Sequence, residues 1–144
     1  MPAQATAPRC RPRLYAEAFT ADAKLAADRT AGHRYNAACH AALAGCGQGE
    51  DAAKLDATER ARLRQQALAW LRADLALWTK DVDGGKPADR GAAQRTLRHW
   101  QRDTDLASVR DKEALAKLPG AERGEWQKLW AEVAALLRKT EAKK

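Results

Sequence analysis

Apolar residues recur along this chain at three- and four-residue steps, which is the signature of amphipathic α-helices. Leu14, Ala18, Ala21 and Leu25, joined by Tyr15 and Phe19, predict a first helix over 13–29. Gly32 marks a break, and a second helix is expected over about 33–45. Its face is almost entirely small, with Ala37, Ala38, Ala41, Ala42 and Ala44 beside Tyr35, Cys39 and Leu43. Small side chains let a neighbouring helix approach closely. Gly45 stands where a helix C-terminal glycine belongs.

Residues 45–56, with Gly45-Cys46-Gly47-Gln48-Gly49, read as a loop. The strongest helical signal follows over about 57–81, where Leu63, Ala67, Trp70, Leu71, Asp74, Leu75 and Trp78 share helical spacing. Thr58 suits its N-cap, and Asp56 is the other candidate. Asp83-Gly84-Gly85-Lys86-Pro87 is a loop signal. A further helix is expected over 88–102 with Ala92, Ala93, Leu97 and Trp100 inward, then a connector over 103–111 held by Leu106 and Val109. A short helix at 111–118 and a last one at about 120–140 complete the pattern. Trp126, Leu129, Trp130, Val133, Leu136 and Leu137 form the stripe of the last helix, and Pro119 fits its start. Arg138 to Lys144 read as a charged, frayed end.

Composition agrees with this all-α reading. The apolar 45% leans on alanine, and the charged residues make up 31%, a balance suited to a folded chain rather than a disordered one. The expected organisation is a leader at 1–12, one helical domain at 13–140 and a charged tail at 141–144. The first dozen residues hold Pro2, Pro8 and Pro12 and no apolar run, so they do not read as a signal peptide. No stretch approaches the length of a membrane span. A cytoplasmic location with reduced thiols and no membrane partner is expected.

The string Arg34-Tyr35-Asn36-Ala37-Ala38-Cys39-His40-Ala41-Ala42-Leu43-Ala44-Gly45 resembles the first helix of a tetratricopeptide (TPR) repeat. Ala67, Leu71 and Leu75 resemble the second helix of that repeat, and Tyr15-Ala16-Glu17-Ala18-Phe19 with Asp22 resembles the end of a preceding one. Two departures stand out: the segment Cys46–Glu59 replaces a short turn, and Ala23 stands where a repeat often carries proline. From Leu14 onward the chain is similar to the C-terminal region of TPR-bearing serine/threonine protein kinases of the planctomycete kind. The strings AGHRYNAACHAALAGCGQGEDAAKLD, ERARLRQQALAWLRADLALW, LRHWQRDTDLASVRD and ALAKLPGAERGEWQKLWAEVAALL carry that similarity. The resemblance implies an antiparallel TPR-like helical array with a C-terminal helical cap. It also implies a partner-binding or spacer role, since the catalytic domain of such kinases lies N-terminal to this region.

The chain's own motifs do not supply catalysis. Gly45-Cys46-Gly47-Gln48-Gly49 is followed by Glu50 and lacks the Lys-Ser/Thr end of a phosphate loop. Val109-Arg110-Asp111 is like a kinase catalytic loop, but Ala116 occupies the position of the required Asn, and no DFG occurs. Nothing would hold Mg²⁺ or orient ATP, so no enzyme activity, catalytic residue or cofactor is expected. His33, Cys39, His40 and Cys46 cluster in sequence, yet consecutive helical residues point about 100° apart. Buried thiols in an alanine-rich interface explain Cys39 and Cys46 better than a metal site.

The formal charge of +7 admits anionic partners without requiring one. Arg60, Arg62, Arg64 and Arg72 fall on one predicted helix, and Arg90, Arg95, Arg98 and Arg102 on another. Arg60 and Arg64 share a face, as do Arg95, Arg98 and Arg102. Acidic Glu59, Asp74, Asp89 and Asp103 lie among them, and no nucleic-acid motif surrounds them. Of the five tryptophans, Trp70, Trp78, Trp100, Trp126 and Trp130, most are expected in the core, with partial exposure of one or two marking a binding face. The expected partner-binding residues are therefore Arg60, Arg64, Arg95, Arg98, Arg102, Trp78 and Trp100. A protein partner is expected, together with self-association through an uncapped N-terminal face. The alternatives are a basic nucleic-acid-binding helical protein and a truncated kinase fragment without independent function.

Overall fold

The computed structural model describes residues 33–46 and 56–142. The chain is all-α, and among the described residues there is no β-strand. The described residues form five α-helices, α1 (His33–Gly45), α2 (Ala57–Asp83), α3 (Pro87–Arg102), α4 (Lys112–Leu115) and α5 (Gly120–Ala142), with a 3₁₀ helix at Thr104–Val109 before α4. The expected helix at 13–29, the leader at 1–12 and most of the loop at 45–56 lie outside the described residues. The chain divides into two compact units, Met1–Asp74 and Leu75–Lys144, and the division falls within α2.

In the first unit, α1 and α2 run in opposite directions. The C-terminal end of α1 is tied to α2 by Arg64, whose Nη1 donates to the Gly45 carbonyl at 2.6 Å. The N-terminal end is tied by Arg34, whose Nε donates to Asp74 Oδ1 at 2.6 Å. Arg34 and Gly45 are eleven residues apart, and Asp74 and Arg64 ten; at the α-helical rise these spans are roughly 16 and 15 Å. The two ties therefore fit a close side-by-side pair. The alanine face makes that approach feasible, since Ala37, Ala38, Ala41, Ala42 and Ala44 are all fully buried. Leu63 of α2 packs against Ala44.

α1 ends at Gly45, as expected, but without a left-handed backbone there. The only glycine with positive φ among the described residues is Gly85, at 79°. Gly45 is required for space instead: a Cβ there would stand 2.6 Å from Arg64 Cγ, 2.9 Å from the Arg60 carbonyl oxygen and 3.0 Å from the Arg64 nitrogen. The left-handed residue comes one loop later, where Gly85 reverses the chain after α2.

α2 begins as one of the two candidate caps predicts. The Asp56 carboxylate accepts from the Glu59 N–H at 2.8 Å, so Asp56 is the N-cap and Thr58 lies in the first turn. The helix reaches Asp83, two residues beyond the expected end, because Val82 is buried. α3 starts at Pro87, whose fixed φ suits the first helical position. The Lys86 carbonyl accepts from the Arg90 N–H at 2.9 Å.

In the second unit α3 packs on α5. Leu97, Trp100, Leu106, Val109, Trp126, Leu129 and Val133 are almost completely buried there. The connector is a 3₁₀ helix, which buries Leu106 and Val109 as their spacing predicts. Its N-cap is Asp103, which accepts from the Asp105 N–H at 3.0 Å. The C-terminal end of α5 is not frayed at Arg138: the helix continues to Ala142. Lys139 pairs with Asp83, Glu141 pairs with Arg98, and Thr140 is buried with its hydroxyl donating to the Leu137 carbonyl. No described helix is long and apolar enough to cross a membrane.

Candidate functional site

Arginine is the residue type from which a binding surface was expected, and the structure sorts the arginines into two groups. The first group faces inward and finishes helices. The last carbonyls of an α-helix have no partner within the helix, and a cation near them also meets the negative end of the helix dipole. Arg64 fills this role at α1, as described above. Arg110 does so at α3: its Nη1 donates to the carbonyls of Trp100 at 3.1 Å and Asp103 at 2.7 Å. Arg123 does so after α4, where its Nε donates to the Leu115 carbonyl at 3.2 Å and its Nη2 to the Leu118 carbonyl at 3.0 Å. Arg34 is likewise engaged, with Asp74.

Two of the expected binding residues thereby become structural ones. Arg64 is 9% exposed, because its guanidinium is drawn under α1 to reach Gly45. Trp100 is 1% exposed, because its ring lies on the inward stripe of α3 with Ala93 and Leu97. Neither presents itself to a partner. Arg60 is half-buried in the first turn of α2.

The second group remains outside. Arg95, Arg98 and Arg102 are all exposed on α3. Among the described residues only Arg98 of the three holds a carboxylate, donating through Nη2 to Glu141 Oε2 at 2.8 Å. On the same helix His99 Nε2 lies 3.2 Å from Asp103 Oδ2. Trp78 is half-buried on α2 and Trp130 half-buried on α5, whereas Trp70 and Trp126 are buried with Trp100. The Trp130 indole N–H donates to the Val109 carbonyl at 2.9 Å, which fixes the ring on the end of the 3₁₀ helix. Of the expected contact residues, Arg95, Arg98 and Arg102 are thus exposed, and Trp78 and Arg60 are half-buried.

Residues singled out for chemistry fall in separate settings. Cys39 is buried on the alanine face, and His40 and Cys46 are half-buried. Arg110 of the Val109-Arg110-Asp111 string serves as the α3 cap, a purpose with no connection to proton transfer. Sequence reading missed the caps at Arg110 and Arg123 and the Arg34–Asp74 pair. The acceptors are backbone carbonyls and a distant carboxylate, so no local spacing announces them.

The fold is that of an all-α protein with an exposed basic row on α3 and a half-buried tryptophan, Trp78, on α2. No family model, curated protein or solved structure matches the chain.

Proposed function

We propose that this chain is a non-catalytic, TPR-like helical module that presents a rigid surface to a protein partner, as the C-terminal region of a TPR-bearing serine/threonine kinase would. The observation that carries the reading is the antiparallel α1–α2 pair, in which Ala44 against Leu63 and a space-limited Gly45 bring two helices together at close range beside an alanine-rich buried face. A helical hairpin built on small residues is the unit of such modules, and stacked units bury what one hairpin leaves open. Stiff helices hold contact residues in place, so little ordering entropy is lost when a partner docks. The half-buried Trp78 supplies an apolar anchor of the kind that concentrates binding energy. Self-association through the N-terminal face belongs to the same reading.

The test is affinity capture by the purified chain from nuclease-treated and untreated bacterial lysates, repeated with Trp78→Ala. A discrete protein retained from both lysates and lost on the substitution is expected. Capture that vanishes with nuclease would replace this reading with nucleic-acid binding, and capture of nothing from either lysate would leave a fragment without independent function.

A further inference from the structure

α3 is the most basic of the long helices. It carries Arg90, Arg95, Arg98 and Arg102 against the single acidic residue Asp89 in its first turn, a formal charge of +3 within a whole-chain +7. The long helices on either side mix the signs: α2 carries Glu59, Asp74, Asp81 and Asp83, and α5 carries Glu122, Glu125, Glu132 and Glu141.

The placement of these charges on α3 is as uneven as their number. Ala93, Leu97 and Trp100 define the buried stripe. At about 100° per residue, Arg95, Arg98 and Arg102 fall within roughly 60° of one another on the opposite side. They form a straight outward row about 10 Å long. Arg95 and Arg102 have no carboxylate partner among the described residues, and Arg98 has one from α5. That pair is half in water, with the side chains of Arg98 and Glu141 51% and 48% exposed. Exposed ion pairs of this kind contribute little to stability and exchange readily.

We infer that the row Arg95–Arg98–Arg102 is a docking strip for an acidic peptide segment of the partner, and that Glu141 occupies its centre until such a segment displaces it. This rests on the protein-interaction reading above and names the chemistry of the partner. Glu141 shows that a side-chain carboxylate reaches the strip with hydrogen-bonding geometry. A run of Asp or Glu offers the same group to all three guanidinium forks, each able to take a carboxylate through two parallel hydrogen bonds. A nucleic acid suits the strip less well. The only Trp, Tyr or Phe of α3, Trp100, is buried, and the exposed His99 imidazole sits against Asp103, so the strip has no large aromatic stacking platform. Three guanidinium groups in one short row are also fewer than the six to ten phosphate contacts of a typical duplex binder.

The experiment is fluorescence anisotropy of a labelled Glu/Asp-rich peptide of about twelve residues with the full chain, in low and moderate salt. Arg95→Ala/Arg98→Ala/Arg102→Ala is expected to weaken binding about tenfold or more. Lys112→Ala/Lys117→Ala/Lys128→Ala removes the same charge from exposed positions elsewhere and is expected to change it about twofold at most. Glu141→Gln, which removes the internal competitor, is expected to tighten binding by roughly two- to fivefold. Far-UV circular dichroism verifies that each variant is folded, and Glu141→Gln decides the matter if the arginine variant is not. Equal losses for the two triple variants, or no gain from Glu141→Gln, would overturn the strip. So would a labelled single strand or duplex that binds more tightly than the peptide and is lost with the same three arginines. In lysate capture, a protein retained by the arginine variant would refute the strip and leave the module reading standing. Absence of any captured protein with the unaltered chain would refute the module reading, and the peptide titration still decides the strip.

Discussion

Arg64 donates to the backbone carbonyl of Gly45 across the α1–α2 pair at 2.6 Å, while the aliphatic part of the same side chain fills the space a Cβ on Gly45 would take. One arginine thus completes the end of a neighbouring helix and sets how close the two helices lie. The contact spans nineteen positions of sequence.

Gly45→Ala is the direct probe of that closeness. Arg64 Cγ has some freedom to shift, but the Arg60 carbonyl and the Arg64 nitrogen are backbone atoms at 2.9 and 3.0 Å and have little. Overpacking of this kind costs about 1–3 kcal/mol. For a chain of this size the expected fall in Tm is roughly 3–10 °C. Thermal unfolding followed by circular dichroism measures it, and an unchanged Tm would show that the helices separate at no cost.

At the other end of the pair, Asp74→Ala leaves the Arg34 guanidinium without its carboxylate at a site where the two side chains are 14% and 5% exposed. Removing one partner of such a pair costs about 3–5 kcal/mol when the other charge stays buried. The expected loss lies near the lower figure, because Arg34 is long enough to reach water. Arg34→Met with Asp74→Leu is expected to recover most of it. Urea unfolding of the double-mutant cycle tests this, and strictly additive losses would contradict a direct coupling.

The tryptophans divide into quenchable and protected sets. Trp70, Trp100 and Trp126 are buried, whereas Trp78 and Trp130 are half-buried. Replacing Trp78 and Trp130 with Phe is expected to remove most of the iodide-accessible fluorescence. Trp130→Phe also gives up the bond to the Val109 carbonyl, at a cost of about 1 kcal/mol. Fluorescence that remains equally quenchable in the double variant would place another indole at the surface.

Arg110→Ala leaves the Trp100 and Asp103 carbonyls without their donor. An expected cost of about 1–3 kcal/mol follows from stranding partly buried acceptors. Arg110→Lys keeps the charge but loses the planar fork and some reach, so it is expected to restore only part. Hydrogen exchange in the last turn of α3 is the local readout. Protection there that survives Arg110→Ala would mean that water replaces the guanidinium without loss.

Much of the architecture is legible in the residue pattern. Leu63, Ala67, Trp70, Leu71 and Leu75 mark α2 because burial on one face imposes a period of 3.6. The small face of α1 is equally plain, since Ala37, Ala38, Ala41 and Ala42 have no other reason to cluster. The legible part ends where a long side chain chooses a distant partner. Arg64 and Arg98 look alike in sequence, and only the fold shows that one lies under a helix end and the other faces water. Trp100 lies inward as its spacing with Leu97 predicts; its second reading, as a contact residue, fails because the same ring type suits a core and a binding face. The charges of Arg138, Lys139 and Lys143 predict a frayed end for α5; the opposite charges that hold part of it, Asp83 on Lys139 and Arg98 on Glu141, lie on other helices.

The guanidinium caps also fix how the molecule meets changes in acidity. A bond from arginine to a peptide carbonyl contains no group that gains or loses a proton in any ordinary buffer, since arginine stays charged and the carbonyl has nothing to titrate. The joint at Gly45 and those at Trp100 and Leu115 are therefore indifferent to pH. The joint at Asp74 is not, because a carboxylate protonated in strong acid no longer pairs with Arg34. Among the ties described between α1 and α2, strong acid would loosen the one at Asp74 and leave the one at Gly45 untouched, like a book held at its spine.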